Sequence, residues 1–139
     1  MFTRRVFAAC GICSAIGLMA TGVDAQSPPA MPGIKRTILS REDAPDSKYE
    51  TVQMIVEVDA GVEVPRHTHP GTESSTLLSG QGELYIKGQP NKTMTPGNMY
   101  MIPASMPHGV RNVTVPLRLA ITYVVEKGKP IVSPAPEQV

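Results

Sequence analysis

Tryptophan, cysteine and histidine are scarce in this chain of 139 residues, and their scarcity limits its chemistry. There is no Trp, and there are only two Cys and three His. Both cysteines, Cys10 and Cys13, lie in an apolar run at the start of the chain, so the remainder has no thiol for a disulfide, a thiolate metal ligand or a nucleophile. Charged residues make up 18% and the net charge is +1, which argues against a basic surface for nucleic acid.

The first 25 residues have the pattern of an export signal. Arg4 and Arg5 precede the uncharged apolar run, and Val23 and Ala25 are the small residues expected before a cleavage site. We therefore expect cleavage after Ala25 and a periplasmic or secreted protein with no membrane attachment. The alternative is an uncleaved anchor, because the run is near the minimum length that spans a bilayer. The arginine pair also resembles a twin-arginine signal, so that route and the general secretory route both stay open.

Proline and glycine are abundant, at 14 and 12 residues, and divide the rest of the chain into short segments. We expect a linker over residues 26–33, one domain over residues 34–128 and a proline-rich C-terminal tail over residues 129–139. Alternating apolar and polar residues over 51–58 are typical of a strand. Four further segments have strand character: IKRTIL, GELYIKG, NMYMIP and LRLAITYVV. No segment has a convincing helical stripe, so we predict an all-β sandwich or barrel.

All three histidines and one carboxylate occur beside strand and turn signals. His67 and His69 are one residue apart, so their side chains project to the same face if this segment is extended. Glu73 follows a Pro-Gly pair, and a turn or bulge there can re-aim it toward the same space. His108 follows another proline-interrupted strand. Imidazoles and a carboxylate suit a divalent metal ion, although a His-X-His pair also occurs by chance, and chemistry and spacing alone leave both interpretations open.

Two segments resemble the signatures of the cupin superfamily. Residues 61–80, GVEVPRHTHPGTESSTLLSG, have its first pattern: Gly, five residues, His-X-His, three residues, Glu, six residues and Gly. Residues 97–112, GNMYMIPASMPHGVRN, resemble the second, with Ser105 where glycine is usual. The resemblance implies a double-stranded β-helix, the jelly-roll barrel of cupins, with one divalent ion of iron, manganese, nickel or zinc. The implied metal ligands are His67, His69, Glu73 and His108.

Three histidines and one carboxylate leave two positions open on an octahedral ion, which suits a small anionic or oxygen-rich molecule. By analogy with other small cupins, we rank a dioxygenase-like oxidation slightly above a decarboxylase, lyase or isomerase. The alternative is a non-catalytic periplasmic module that binds a small molecule or a metal. The resemblance also implies a homodimer in which the N-terminal strand pairs with the partner's sheet.

Five residues outside the ligand set are weaker candidates. Tyr85 and Tyr100 offer hydroxyls for acid-base chemistry, although a tyrosine in a strand is more often packed. Arg66 and Arg111 flank the histidines and are candidates for pairing with a substrate carboxylate, although strand alternation favours a surface role. Met101 is a candidate pocket lining, with core packing as the alternative. Several methionines around the cavity would favour non-oxidative chemistry, because their sulfur is easily oxidised.

Overall fold

A computed structural model of the protein describes residues 28, 30–46 and 48–137. The predicted export signal and its cleavage site lie outside the described residues, so export stays a prediction. Within the described ranges there are no helices, and no helix therefore has the length and apolar character of a membrane span. The strands in chain order are β1 (Ile34–Asp43), β2 (Tyr49–Val58), β3 (Val64–Thr68), β4 (Gly71–Ile86), β5 (Lys92–Met94), β6 (Met99–Ile102), β7 (His108–Glu126) and β8 (Ser133–Pro134). The all-β prediction is confirmed.

Two long strands, β4 and β7, join the others into one eight-stranded sheet. β7 pairs with β3 near its start and with β2 over its second half. β4 runs antiparallel to β7 and also pairs with β5 and β6. The register between β4 and β7 shifts repeatedly from Leu77 to Glu83, and such irregularities bend a strand. Side chains from both sides of this bend then pack into one hydrophobic cluster.

The alternation of β2 shows how the sequence selects this interior. Its inward-facing residues are all at most 8% exposed: Val52, Met54, Val56 and Val58. The residues between them are partly or fully exposed, as the two-residue period of a strand requires. The strand predicted over residues 51–58 is therefore present. Burial of each of these aliphatic side chains stabilises the fold by roughly 1.5–3 kcal/mol.

Part of the segment expected to be a C-terminal tail packs against the sheet. Ile131 has no exposed surface. β8 pairs with β3 at His67 and Pro134, and the amide of Ala135 donates a hydrogen bond to the carbonyl oxygen of Arg66, with an N···O distance of 3.1 Å. The sequence pattern did not predict these contacts, because two adjacent apolar residues between prolines are too few to show a period.

The substitution Ile131→Ala tests this C-terminal packing. We expect it to lower the free energy of unfolding by about 2–5 kcal/mol, because it deletes buried methyl groups and leaves a cavity. Urea unfolding measures the change. Leu78→Ala is the control, since Leu78 is 43% exposed, and its effect should stay within about 0.5 kcal/mol. Equal small effects at both sites would contradict the packing role.

The homodimer remains a proposal, and the exposed edge of β1 gives a physical reason for it. Among the described residues β1 pairs only with β2, and Ile38 and Leu39 are 39% and 62% exposed. An exposed strand edge with apolar side chains favours pairing with another chain. Light scattering at micromolar concentration should therefore give twice the monomer mass, and Leu39→Asp should give the monomer. A monomeric unmodified protein at that concentration would remove the proposal.

Candidate metal centre

Four side chains from separate parts of the sheet meet in the interior. His67 is in β3, His69 follows that strand, Glu73 is near the start of β4, and His108 begins β7. One ligand atom from each residue lies within 4.8 Å of the others. The tertiary structure thus brings together the four residues that the sequence predicted as metal ligands.

The turn that leads into β4 depends on Gly71. A Cβ atom at this position would overlap the backbone carbonyl of Val124 in β7, so only glycine allows β4 to start this close to β7. The amide of Glu126 donates a hydrogen bond to the carbonyl oxygen of Pro70, with an N···O distance of 3.0 Å. The Pro-Gly pair therefore directs the chain against β7, and Glu73 follows with its side chain turned inward at 7% exposure.

Ser105 adopts a turn conformation at the position where the second signature usually has glycine. Its φ angle is 59°, in the left-handed region that residues with a side chain seldom adopt. Its amide donates a hydrogen bond to the carbonyl oxygen of His69, with an N···O distance of 2.9 Å. The loop before β7 is thereby attached to the backbone of a candidate ligand.

Each of the three imidazoles is held at Nδ1 by a backbone carbonyl. His67 and His108 each contact the carbonyl oxygen of the residue two positions earlier, with an Nδ1···O distance of 2.8 Å in both cases. His69 contacts the carbonyl oxygen of Ile131 at 2.6 Å. Because a carbonyl oxygen only accepts, Nδ1 carries the hydrogen in all three rings. In the neutral form, Nε2 of each ring then has a lone pair and no hydrogen.

The lone pairs of His69 and His108 meet at the carboxylate of Glu73. Nε2 of His69 is 2.8 Å from Oε2 of Glu73, and Nε2 of His108 is 3.4 Å from the same oxygen. Neither nitrogen has a hydrogen-bond partner, and the three residues are at most 7% exposed. Converging acceptors without a donor cost free energy when they are buried. A cation among them would remove that cost.

Protons are a poor source of this positive charge at neutral pH. Burial, followed by the neighbouring His108 and His69, lowers the pKa of His67 to about 3. Burial by itself raises the pKa of Glu73, but the adjacent imidazoles of His108 and His69 outweigh it and hold this pKa well below its usual range. His67 is therefore neutral and Glu73 ionised at pH 7. One proton on another ring would satisfy a single lone pair, whereas a divalent ion satisfies all four donor atoms.

A first-row divalent ion fits this donor set. Such ions hold imidazole nitrogen and carboxylate oxygen at about 2.0–2.2 Å, so two donors on one ion lie at most about 4.4 Å apart. The observed limit of 4.8 Å is within a few tenths of an ångström of that value. An Nδ1–H bound to a carbonyl oxygen is also the usual way in which a protein orients a metal-binding histidine.

The candidate ligands border a small internal cavity. His67, Glu73 and His108 line a space of about 50 Å³, whose remaining wall is mostly aliphatic. The other polar residues that line it are Arg36, Ser75, Tyr100 and Tyr123. A cavity of this volume holds a few water-sized groups. The site therefore suits a small ligand.

Sequence reasoning missed Arg36 and Tyr123. Tyr123 is 4% exposed, and the centroid of its ring is 4.7 Å from that of His69. Burial, and then the charge of Glu73, raises the pKa of Tyr123 well above its ordinary value, so its hydroxyl keeps the proton at neutral pH. Both residues have apolar neighbours two positions away in their strands. The sequence signal that could have identified them is a polar residue at a position where strand alternation predicts an apolar one.

The weaker candidates separate into two groups. Tyr100 lines the cavity, and its hydroxyl donates to Oδ1 of Asn98 at 3.2 Å. Met101 is 65% exposed on β6, away from the cavity lining. Among the methionines that the structure describes, only Met94 lines the cavity, so methionine content gives no reason to prefer non-oxidative chemistry.

The remaining candidates also lie outside the inner cavity. Nη1 of Arg66 is 3.3 Å from the carboxylate of Glu137, and Arg66 borders an outer opening beside His67. The Arg111 side chain is 45% exposed. Its guanidinium lies over the ring of Tyr85, 5.7 Å from the centroid. The structure thus places these three side chains away from the converging ligand atoms.

Comparison with known proteins supports the fold. Residues 54–128, more than half of the chain, match the model of the cupin domain. An uncharacterised protein from Klebsiella pneumoniae with a double-stranded β-helix domain superposes with a TM-score of 0.60 at 16% identity, over 97% of this chain and 100% of that chain. Salicylate 1,2-dioxygenase from Pseudoaminobacter salicylatoxidans gives a TM-score of 0.54 at 15% identity, over 67% of this chain and 25% of that chain. These likenesses confirm the predicted double-stranded β-helix.

A curated relative is similar in sequence as well. Dimethylsulfoniopropionate lyase DddQ from Ruegeria pomeroyi is 27% identical over 82 residues, which are 59% of this chain and 41% of that protein. Its crystal structure superposes with a TM-score of 0.56 at 26% identity, over 64% of this chain and 45% of that chain. The chain thus spans less than half the length of this relative.

Acid should destabilise the metal-free protein through the candidate ligands. Burial lowers the pKa of His67 from its ordinary value of 6.5 to about 3 in the folded protein, so between these pH values only the unfolded chain binds the proton. The contribution of His67 to stability is complete above pH 6.5 and is lost as pH falls toward 3. The lowered pKa of Glu73 adds a loss of the same sign below its ordinary value of 4.5.

Urea unfolding in a chelating buffer from pH 8 to pH 4 measures this dependence. We expect His67→Gln to have a flatter profile between pH 6.5 and pH 4, because it removes one group that titrates only in the unfolded state. A variant with the same slope as the unmodified protein would show that His67 does not contribute.

Proposed function

The chain belongs to the cupin family, and we propose that it is a metal-dependent enzyme that acts on a small anionic, oxygen-rich metabolite. The observation that carries the proposal is that one ligand atom from each of three histidines and one glutamate lies within 4.8 Å of the others, and that the buried Nε2 atoms of His69 and His108 beside the Glu73 carboxylate have no hydrogen-bond partner. His67, His69, Glu73 and His108 would hold one ion of iron, manganese, nickel or zinc.

The donor set explains why an anion is the preferred ligand. Three neutral imidazoles and one carboxylate leave a divalent ion with a net charge of about +1 and, in octahedral coordination, two open positions. A metal in this state would polarise a bound oxygen ligand or, if it is iron, support reaction with dioxygen. The same four residues could hold a metal ion for either reaction.

The protein's own groups restrict what happens beside that ion. The mostly aliphatic wall of the cavity lowers the local dielectric and strengthens electrostatic interactions within it. Tyr123 keeps its proton at neutral pH because its pKa is raised. Its hydroxyl is therefore suited to donate a hydrogen bond to an oxygen atom of the ligand, whereas a role as a general base would require loss of that proton.

Within the enzyme classes, we favour a non-oxidative lyase over the dioxygenase that we ranked first from sequence. The similar protein from Ruegeria pomeroyi is a lyase and shares 27% identity. The dioxygenase shares 15% identity, a level that supports the fold alone. This chain spans only 41% of the lyase. We therefore propose the reaction class alone and not the substrate of that protein.

A non-catalytic binding module is the second candidate. The small volume of the cavity, about 50 Å³, favours it, because a site that only captures a metal or a very small anion needs no further space. Consumption of the ligand distinguishes an enzyme from a binding module. A ligand that raises the melting temperature and is consumed indicates an enzyme, whereas saturable protection without chemical change indicates a binder.

Elemental analysis of the protein purified without tag or chelator tests the metal site first. We expect about one metal ion per chain, and less than a tenth of that amount in His108→Ala, because the variant lacks one of four ligands. Met101→Ala is the control, because Met101 is exposed and outside the cavity lining. Full metal content in His108→Ala would show that the ligand set is wrong. A folded, metal-free unmodified protein that takes up none of the four metals would remove the proposed function.

A further inference from the structure

We infer that Arg36 binds the carboxylate of the molecule that enters the cavity, and that this contact restricts the site to small carboxylic acids. The inference rests on the proposed function and extends it by naming a substrate class and the residue that selects it. Neither the cupin signatures nor the metal-ligand geometry includes Arg36.

The position of Arg36 is the first support. It is the third residue of β1 and pairs in register with Val56 of β2. It lines the inner cavity together with His67, Glu73 and Tyr123. β1 thus places a guanidinium on the wall of the space that the candidate ligands border.

Arg36 also lines a second space beside the inner cavity. A second opening of about 210 Å³, with mainly aliphatic and proline side chains, adjoins the inner cavity. Four residues line both spaces: Arg36, Val64, His67 and Val132. A ligand at the boundary of the two spaces would therefore lie beside both Arg36 and the candidate metal ligand His67. Its carboxylate could then contact Arg36 with one oxygen and the metal group with the other.

The charge distribution gives the sign of the preferred ligand. Arg36 is the only lysine or arginine among the described residues that line the inner cavity. A guanidinium stays protonated in proteins, and its planar fork matches a carboxylate. Together with a metal group of net charge about +1, it makes the cavity attractive to anions and unfavourable for cations. The surrounding aliphatic wall strengthens this preference, because screening is weak in a low dielectric.

The two arginines suggested by the sequence are less suited to this role. Arg66 borders the outer opening but does not line the inner cavity. Arg111 lines neither space. The structure therefore transfers the anion-binding role from these residues to Arg36.

Cobalt(II)-loaded protein provides the test, because the visible absorption of cobalt changes when a ligand binds to the metal. Propionate is the carboxylate probe and imidazole is the neutral probe. We expect Arg36→Met to bind propionate at least tenfold more weakly than the unmodified protein and to bind imidazole equally well. Arg36→Lys keeps the charge without the fork, and we expect an intermediate affinity for propionate.

Lys35→Met is the matched control. Lys35 precedes Arg36 in β1, is exposed, and contacts Glu57 at 3.3 Å, so its substitution removes the same charge from the same strand without altering the cavity. We expect it to leave both affinities unchanged. The cobalt content and the melting temperature of each variant show whether the fold and the metal site are intact.

The outcomes separate this inference from the function on which it rests. Equal propionate affinity in Arg36→Met and the unmodified protein, with full cobalt content, would overturn the role of Arg36 and leave the metal site standing. Equal weakening by Lys35→Met would also overturn it, since a general loss of positive charge would then explain the effect. Failure of the unmodified protein to bind cobalt or any of the four proposed metals would remove the metal-dependent function, and the inference with it.

Discussion

The hydrogen bonds from three imidazole Nδ1 atoms to backbone carbonyls are the interactions on which the candidate site depends. They fix one tautomer in each ring, and they leave the Nε2 lone pairs of His69 and His108 facing Glu73. Without these bonds, a ring could rotate or exchange tautomer and donate to the carboxylate. With them, Nε2 of His69, Nε2 of His108 and the Glu73 carboxylate can only accept hydrogen bonds, so a cation between them would stabilise the group.

The backbone that makes these bonds is held by contacts between distant segments. Gly71 lets β4 begin in contact with β7, and the left-handed conformation of Ser105 attaches the loop before β7 to the residue that follows β3. The carbonyl of Ile131 reaches His69 from beyond the last long strand. These contacts constrain Glu73 and His69 from three separate parts of the chain, so the site is a property of the whole sheet and not of one motif.

The interior of the sheet gives the few polar groups their chemical character. Aliphatic residues surround Glu73, Tyr123 and Arg36, so their charges and dipoles are poorly screened. The same burial that makes the ligand cluster costly without a cation keeps the Tyr123 hydroxyl protonated and makes a guanidinium an effective anion anchor. The proposed metal binding, hydrogen-bond donation and anion selection thus all depend on one mostly aliphatic cavity.

The sequence by itself determined the strand pattern and the donor chemistry, because alternation over residues 51–58 and the spacing from His67 to Glu73 are properties of short segments. It also revealed the family through two local signatures. Only the tertiary structure decided that Arg36 and Tyr123 share a cavity, that Arg66 and Arg111 do not line it, and that the carbonyl of Ile131 orients a ring 62 residues earlier. Those outcomes depend on which distant strands pair and in which register, and pairing over such separations leaves no period in the sequence.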